Sequence, residues 1–139
     1  PGKIAPGTES AKPSYFPDWF PTLCRAAKVT LTPETEAILD GIDLLPVAMG
    51  KPGVTRSAPL IWEFAEYGGQ IAIRDGKWKA VRQAIKSKKP GAWELYDLSI
   101  DPGESKDLAA AHREIVERLA VAHLQTRTPE PDFPQPLFD

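Results

Sequence analysis

At 139 residues, with 17 Lys and Arg against 19 Asp and Glu and a formal charge of −2, the chain suits one domain with a modest core. Its densest basic run, Lys86-Ser87-Lys88-Lys89, is too short to follow a nucleic-acid backbone, its apolar runs are too short to span a bilayer, and nothing at its start reads as a signal peptide. The single cysteine, Cys24, excludes an intrachain disulfide, and the 15 prolines cluster outside the periodic segments, so much of the chain is loop.

The stretch from Pro1 to Pro13 has no apolar period and reads as an extended connector. Opening on Pro1 rather than Met, the chain reads as an excised or processed piece. Asp18 is placed to cap a short helix whose apolar face is Trp19, Phe20, Leu23 and Ala27, with Pro21 in the first turn and Cys24 as a small core hydrophobe. A second helix is predicted within Thr30 to Leu39, with Thr32 as cap and Pro33 at its first position. Asp40-Gly41 breaks it, and Ile42 to Gly50 reads as one or two further helical turns closed by glycine.

Beyond Pro52-Gly53 the pattern turns to strands. Pro59 to Ala65 is the first. Gln70–Arg74 and Lys77–Arg82 flank Asp75-Gly76, a strong two-residue hairpin signal that would set Ile73 opposite Trp78 and Ile71 opposite Ala80. Arg74, Lys77 and Lys79 would share the other face, wet or paired with acids. Trp93 to Leu98 makes a fourth strand, and Asp101-Pro102-Gly103 turns the chain, with Gly103 free to take positive φ. Ser105 or Asp107 would cap a long helix from about Leu108 to Gln125, with Ala111, Ile115, Leu119 and Ala122 on its buried stripe and Leu108 and Val116 beside it. Thr128 to Asp139, with four prolines, is a tail that wraps or frays. The predicted class is α+β: a small, four-stranded, mostly antiparallel sheet with one long C-terminal helix packed on it, preceded by short helices and irregular chain. Its organisation reads as 1–55 connector and short helices, 56–127 the α+β unit, and 128–139 the tail.

Several phrases in order resemble one family. Glu94-Leu95-Tyr96-Asp97-Leu98, then Asp101-Pro102, Glu104 and Asp107-Leu108-Ala109, is similar to a signature of the C-terminal part of arylsulfatase-type sulfatases, in the alkaline phosphatase superfamily. Pro1-Gly2-Lys3-Ile4 with Gly7-Thr8, Asp18-Trp19-Phe20-Pro21-Thr22, Leu39-Asp40-Gly41-Ile42-Asp43-Leu44-Leu45-Pro46, Arg56 with Pro59 to Phe64, and Ala72 to Lys79 resemble other phrases of that family. The resemblance implies the C-terminal part of a sulfuric ester hydrolase whose absent N-terminal catalytic domain is the partner of this segment and whose substrate is a sulfate ester. It further implies, for the parent, a formylglycine made from Cys or Ser in a C/S-x-P-S-R motif, a divalent cation such as calcium, and an exported, periplasmic or lysosomal setting. Cys24 is followed by Arg25-Ala26-Ala27, so no catalytic residue and no metal ligand is assigned in this chain.

What the resemblance implies for this segment is structural, with a part in the rim of the substrate cleft. The rim candidates are Trp62, Glu63, Phe64, Glu66 and Tyr67, running off a strand end into Gly68-Gly69. Strand alternation separates Glu63 from Glu66, which argues against a catalytic carboxylate pair; both would otherwise serve the Arg74, Lys77 and Lys79 face. Trp62, Trp78 and Trp93 read as core aromatics rather than a sugar platform. His112 and His123 lie too far apart on one helix to share a metal and read as surface residues. The alternatives are a free-standing module binding a sulfated glycan or a partner protein through the Trp62–Tyr67 edge, and a scaffold that self-associates through an exposed apolar face.

Overall fold

The computed structural model describes residues 2–135 and 137–139. The chain divides into two compact units, Pro1–Ser57 and Ala58–Asp139. Among the described residues no helix is long and apolar enough to cross a membrane.

In the second unit, β1 (Leu60–Phe64), β2 (Gln70–Asp75), β3 (Trp78–Gln83) and β4 (Trp93–Asp97) form a four-stranded sheet in chain order, every neighbour antiparallel. The long helix, here α4 (Arg113–Thr126), packs on one face. This is the α+β plan expected from the sequence. Alternation puts Ile71, Ile73, Ala80 and Leu95 on the helix side, where they close with Ile85 and Leu119 into the core. Ile61, Trp78, Trp93, Ile115, Val116 and Phe138 pack around it.

The hairpin differs from expectation in register. Asp75 pairs with Trp78, so the turn residues are Gly76 and Lys77; Ile73 faces Ala80 and Ile71 faces Arg82. Gly76, at φ +58°, takes the first turn position, where a side chain would be strained. Asp75 stays in the ladder and meets Arg118 of α4 at 2.5 Å. Each pairing moves by two positions, an even step, so the same side chains remain buried. Lys77, now in the turn, bonds Asp97 at 2.6 Å instead of sharing the Arg74 and Lys79 face. Lys79 pairs with Glu104 at 2.5 Å.

After β4, the Asp101 carboxylate accepts the backbone N–H groups of Ser105 and Lys106, both at 2.9 Å. These bonds, Lys106 first, hold its pKa below the ordinary carboxylate value. The left-handed residue of this turn is Glu104, φ +55°, not Gly103. Asp107 accepts the N–H of Leu95 at 2.9 Å and of Ala109 at 2.8 Å, tying β4 to a separate turn. Neither Ser105 nor Asp107 caps the long helix, which begins at Arg113 after His112 and without a side-chain cap. Asp107 initiates local turn geometry whose bonds Ala111 N→Leu108 O and His112 N→Leu108 O end before the helix proper. Leu119 is wholly buried, as its place on the stripe requires.

The first unit is built round a buried acid. A short 3₁₀ turn, Phe16–Asp18, leads into α1 (Trp19–Ala26), followed by α2 (Pro33–Ala37) and α3 (Leu45–Ala48). Thr32 caps α2 by accepting from Thr35 N, and Gly50 (φ +72°) follows α3, both as expected. Asp18 does not cap α1. Its carboxylate is fully buried, accepts the N–H groups of Tyr15 (3.0 Å) and Ile42 (2.9 Å), and meets Arg56 Nη2 at 2.7 Å from each oxygen. Burial alone would raise its pKa, but the Arg56 and backbone hydrogen bonds outweigh it and hold the group low. Thr22, also buried, donates to Asp18 O (2.7 Å) and accepts from Leu44 N (2.9 Å). Gly41 passes so close to this turn that a Cβ would lie 2.1 Å from Pro17 O. The predicted apolar face of α1 is inverted: Trp19, Phe20 and Leu23 are exposed while Pro21 and Thr22 are buried. The polar Asp18–Thr22–Arg56 network decides which side faces inward. Cys24 is half-buried and unpaired.

Candidate functional site at the end of strand β1

The five rim candidates divide between two faces and a loop. Glu63 pairs with Ile71 in the ladder and points to the helix side. Trp62 and Phe64 point to the face that α4 leaves open, 40% and 49% exposed. Trp62 is thus not a core residue, although Trp78 and Trp93 do pack against the core. Beyond the strand, Tyr67 is 88% exposed, and its ring stacks on Phe64 at 6.0 Å between centroids. Tyr67, Gly68 and Gly69 all have positive φ (51°, 87° and 79°), a conformation that costs Tyr67 strain. The loop is held by Lys86 N→Gly68 O (2.9 Å) and Ile85 N→Gly69 O (3.1 Å).

Glu63 sits in a network that the sequence did not disclose. His123, read from the sequence as a surface residue, is fully buried in α4, and its Nε2 lies 2.6 Å from Glu63 Oε1. Arg127 Nε donates to the same oxygen at 2.8 Å, and Arg127 Nη1 pairs with Asp139. Asp139 holds the Arg127 pKa up, and Arg127 in turn holds the Asp139 carboxyl low. Facing a carboxylate, Nε2 carries a proton, while Nδ1 has no partner among the described residues. Phe138 meets the His123 ring edge-on at 5.0 Å. Glu63 is therefore engaged on the helix side of the sheet, and its partners are His123 and Arg127, not the Arg74, Lys77 and Lys79 face. One signal was available: His123 lies four positions after Leu119, on the same stripe. Glu66 lies past the strand end, without a side-chain partner among the described residues.

Beside this node, Glu63, Phe64, Ala65, Glu66, Glu130, Phe133 and Gln135 line a cleft of about 370 Å³. On the open sheet face, Trp62, Ala72, Arg74, Lys79, Leu98, Pro102 and Glu104 line a shallow groove. Tyr96 donates to Glu94 at 2.6 Å, a bond that pushes its pKa up to about 12. Among the described residues no three His, Cys, Asp or Glu side chains converge to hold a metal. With Cys24 outside a C/S-x-P-S-R context, the residues present do not fit a formylglycine centre or its cation.

No protein-family profile matches the chain. It is 36% identical over 118 residues to choline-sulfatase of Rhizobium meliloti (strain 1021), covering 83% of this chain and 21% of that protein. It is 31% identical over 144 residues to human arylsulfatase A, covering 86% of this chain and 27% of that enzyme. Among solved structures, a 2-O GAG sulfatase matches its fold at TM-score 0.52 and 24% identity, over 80% of this chain and 26% of that one. A phosphonate monoester hydrolase of Agrobacterium radiobacter matches at TM-score 0.50 and 25% identity, over 78% of this chain and 24% of that one. The α+β unit and these similarities together identify a sulfatase-type segment. It spans about a fifth to a quarter of the curated relatives it matches.

Proposed function

We propose that this segment is a non-catalytic part of a sulfuric ester hydrolase, buttressing a catalytic domain elsewhere in the protein and shaping the rim of its substrate cleft. The observation that carries the reading is the end of β1, where Trp62, Phe64 and Tyr67 stand exposed on a rigid sheet beside a strained, left-handed loop. The exposed Phe16, Trp19, Phe20 and Leu23 support a role in contact with further protein, since a patch of that kind is rare on a self-sufficient surface. The nucleophile, the cation and the choice of sulfate ester then belong to the rest of the protein. Choline sulfate and aryl sulfates are the substrates to try first, on the strength of the relatives' names.

The test has two arms. The chain alone, incubated with an aryl sulfate and calcium, is expected to release no sulfate; measured turnover would refute the non-catalytic assignment. In the longer protein, Trp62→Ala with Tyr67→Ala is expected to raise KM with the fold intact. Unchanged KM across choline and aryl sulfates would remove these residues from the rim.

A further inference from the structure

The cleft between the end of β1 and the C-terminal tail has a composition that calls for one kind of ligand. Its walls are the rings of Phe64 and Phe133, both substantially exposed, with Tyr67 stacked behind Phe64. Three carboxylates line it, Glu63, Glu66 and Glu130, and no lysine or arginine does. Glu63 is already engaged by His123 and Arg127, which leaves Glu66 and Glu130 as the carboxylates of the cleft without a cationic partner among the described residues. The Glu130 carboxylate accepts only the N–H of Asp132, at 3.2 Å, among the described residues.

A second observation points to a donor. Gln135 lines the same cleft, is 1% exposed, and its Oε1 has no hydrogen-bond partner among the described residues. The backbone that carries it is fixed: Gln135 N donates to Asp139 Oδ2 at 2.5 Å, and Phe138 N and Asp139 N donate to Gln135 O at 2.8 and 3.1 Å. A buried acceptor left without a partner is costly, so an N–H that reaches Gln135 Oε1 from the cleft gains a full hydrogen bond.

We infer that this cleft binds a small organic ammonium ion, an apolar body bearing a protonated amine. Its apolar part lies between the Phe64 and Phe133 rings, whose faces attract a cation. Glu66 and Glu130 supply the opposing charge, and Gln135 Oε1 accepts an N–H. The volume of about 370 Å³ falls at the small end of ligand pockets and suits a single ring or short alkyl chain. This inference goes beyond the rim reading, and binding by the chain does not depend on any sulfatase activity.

The experiment is an NMR and calorimetric titration of the full chain with benzylammonium chloride, benzyl alcohol and benzyltrimethylammonium chloride. Benzylammonium is expected to bind saturably, about tenfold more tightly than the neutral alcohol, from the ion pair and ring–cation attraction together. The trimethyl compound, with charge but no N–H, is expected to bind several-fold more weakly than benzylammonium. Glu66→Gln with Glu130→Gln, both outside the core, should abolish the preference for the cation while leaving the circular dichroism unchanged. Equal affinity for amine and alcohol, or no saturable shift with benzylammonium up to about 20 mM, would overturn the proposal. Equal affinity for the two cations would remove Gln135 Oε1 as the acceptor. None of these failures bears on KM in the rim experiment, so the two readings fall separately.

Discussion

Leu119→Ala tests the seat of the helix directly. Leu119 is 0% exposed and belongs to a core whose other members are Ile71, Ile73, Ala80, Ile85 and Leu95, four of them in the sheet strands. Truncation removes the transfer free energy of three carbons and leaves a cavity that the β-branched neighbours on a hydrogen-bonded sheet are poorly placed to fill. For fully buried leucines that combination costs about 3 kcal/mol, within a range of about 2.7 to 5. A domain of this size has a total stability of roughly 5 to 15 kcal/mol, so the loss is a large fraction of it. Urea unfolding followed by the fluorescence of Trp78 and Trp93, which pack against that core, should show a lower midpoint with unchanged slope. Val121→Ala, on the exposed side of the same helix, should cost less than about 0.5 kcal/mol and controls for helix propensity. A Leu119→Ala loss below about 1 kcal/mol, equal to that control, would mean that α4 does not cover the sheet.

The remaining tests address the polar nodes. Asp18 has a folded pKa below its ordinary value, so the unfolded chain takes up the proton first as pH falls; its stabilisation is complete above about pH 5 and declines through pH 4 and below. Urea midpoints of the first unit at pH 3 and pH 7, read from Trp19, should therefore differ more in the wild type than in Asp18→Asn; equal differences would refute the ion-pair account. Gly41→Ala drives a Cβ to 2.1 Å from Pro17 O and should destabilise that unit by roughly 2 kcal/mol in the same assay, with a neutral outcome counting against the close approach. Tyr96 should ionise near 12 in an ultraviolet pH titration, and Glu94→Ala should lower that value, because the carboxylate accepting its proton is gone; an unmoved titration would show the hydrogen bond to be absent in solution.

The sheet and the long helix were legible because both rest on short-period apolar patterns: alternation gave Ile71 and Ile73 one face, and the Ile115–Leu119 spacing found its stripe. Turn chemistry was read less well. Aspartate and glycine were recognised as turn formers, yet Asp75 kept its place in the ladder, where it also pairs with Arg118, and Gly76 moved to the first turn position. Asp101-Pro102-Gly103 does turn the chain, with the Asp101 carboxylate bonding backbone N–H groups, but the positive φ went to Glu104 rather than Gly103. The largest miss was α1, whose moment points outward. A helix normally buries its apolar stripe, but here Arg56, 38 residues along the chain, draws Asp18 inward, and Thr22 bridges to Leu44. No local pattern contains that partner. His123 was missed for the same reason: its acid, Glu63, lies 60 residues away.

The split within β1 bears on any ligand this segment holds. Five neighbouring residues looked like one rim in the sequence, but strand alternation gives Trp62 and Phe64 to the open face and turns Glu63 to the helix side. With His123 and Arg127 both on Glu63 Oε1, that carboxylate is already committed to partners within the fold. Its loss should unseat the tail before it alters recognition, because Arg127 links Glu63 to Asp139, and Asp139 in turn orders Gln135. Glu63→Ala and Glu66→Ala therefore have distinguishable signatures. The first should lower stability and expose the tail to proteolysis at its Pro-rich stretch; the second should leave both unchanged and weaken only the binding of a cation. If Glu63→Ala behaved like Glu66→Ala, the Glu63–His123–Arg127 node would not be what positions the tail, and the cleft would lose the wall that Gln135 provides.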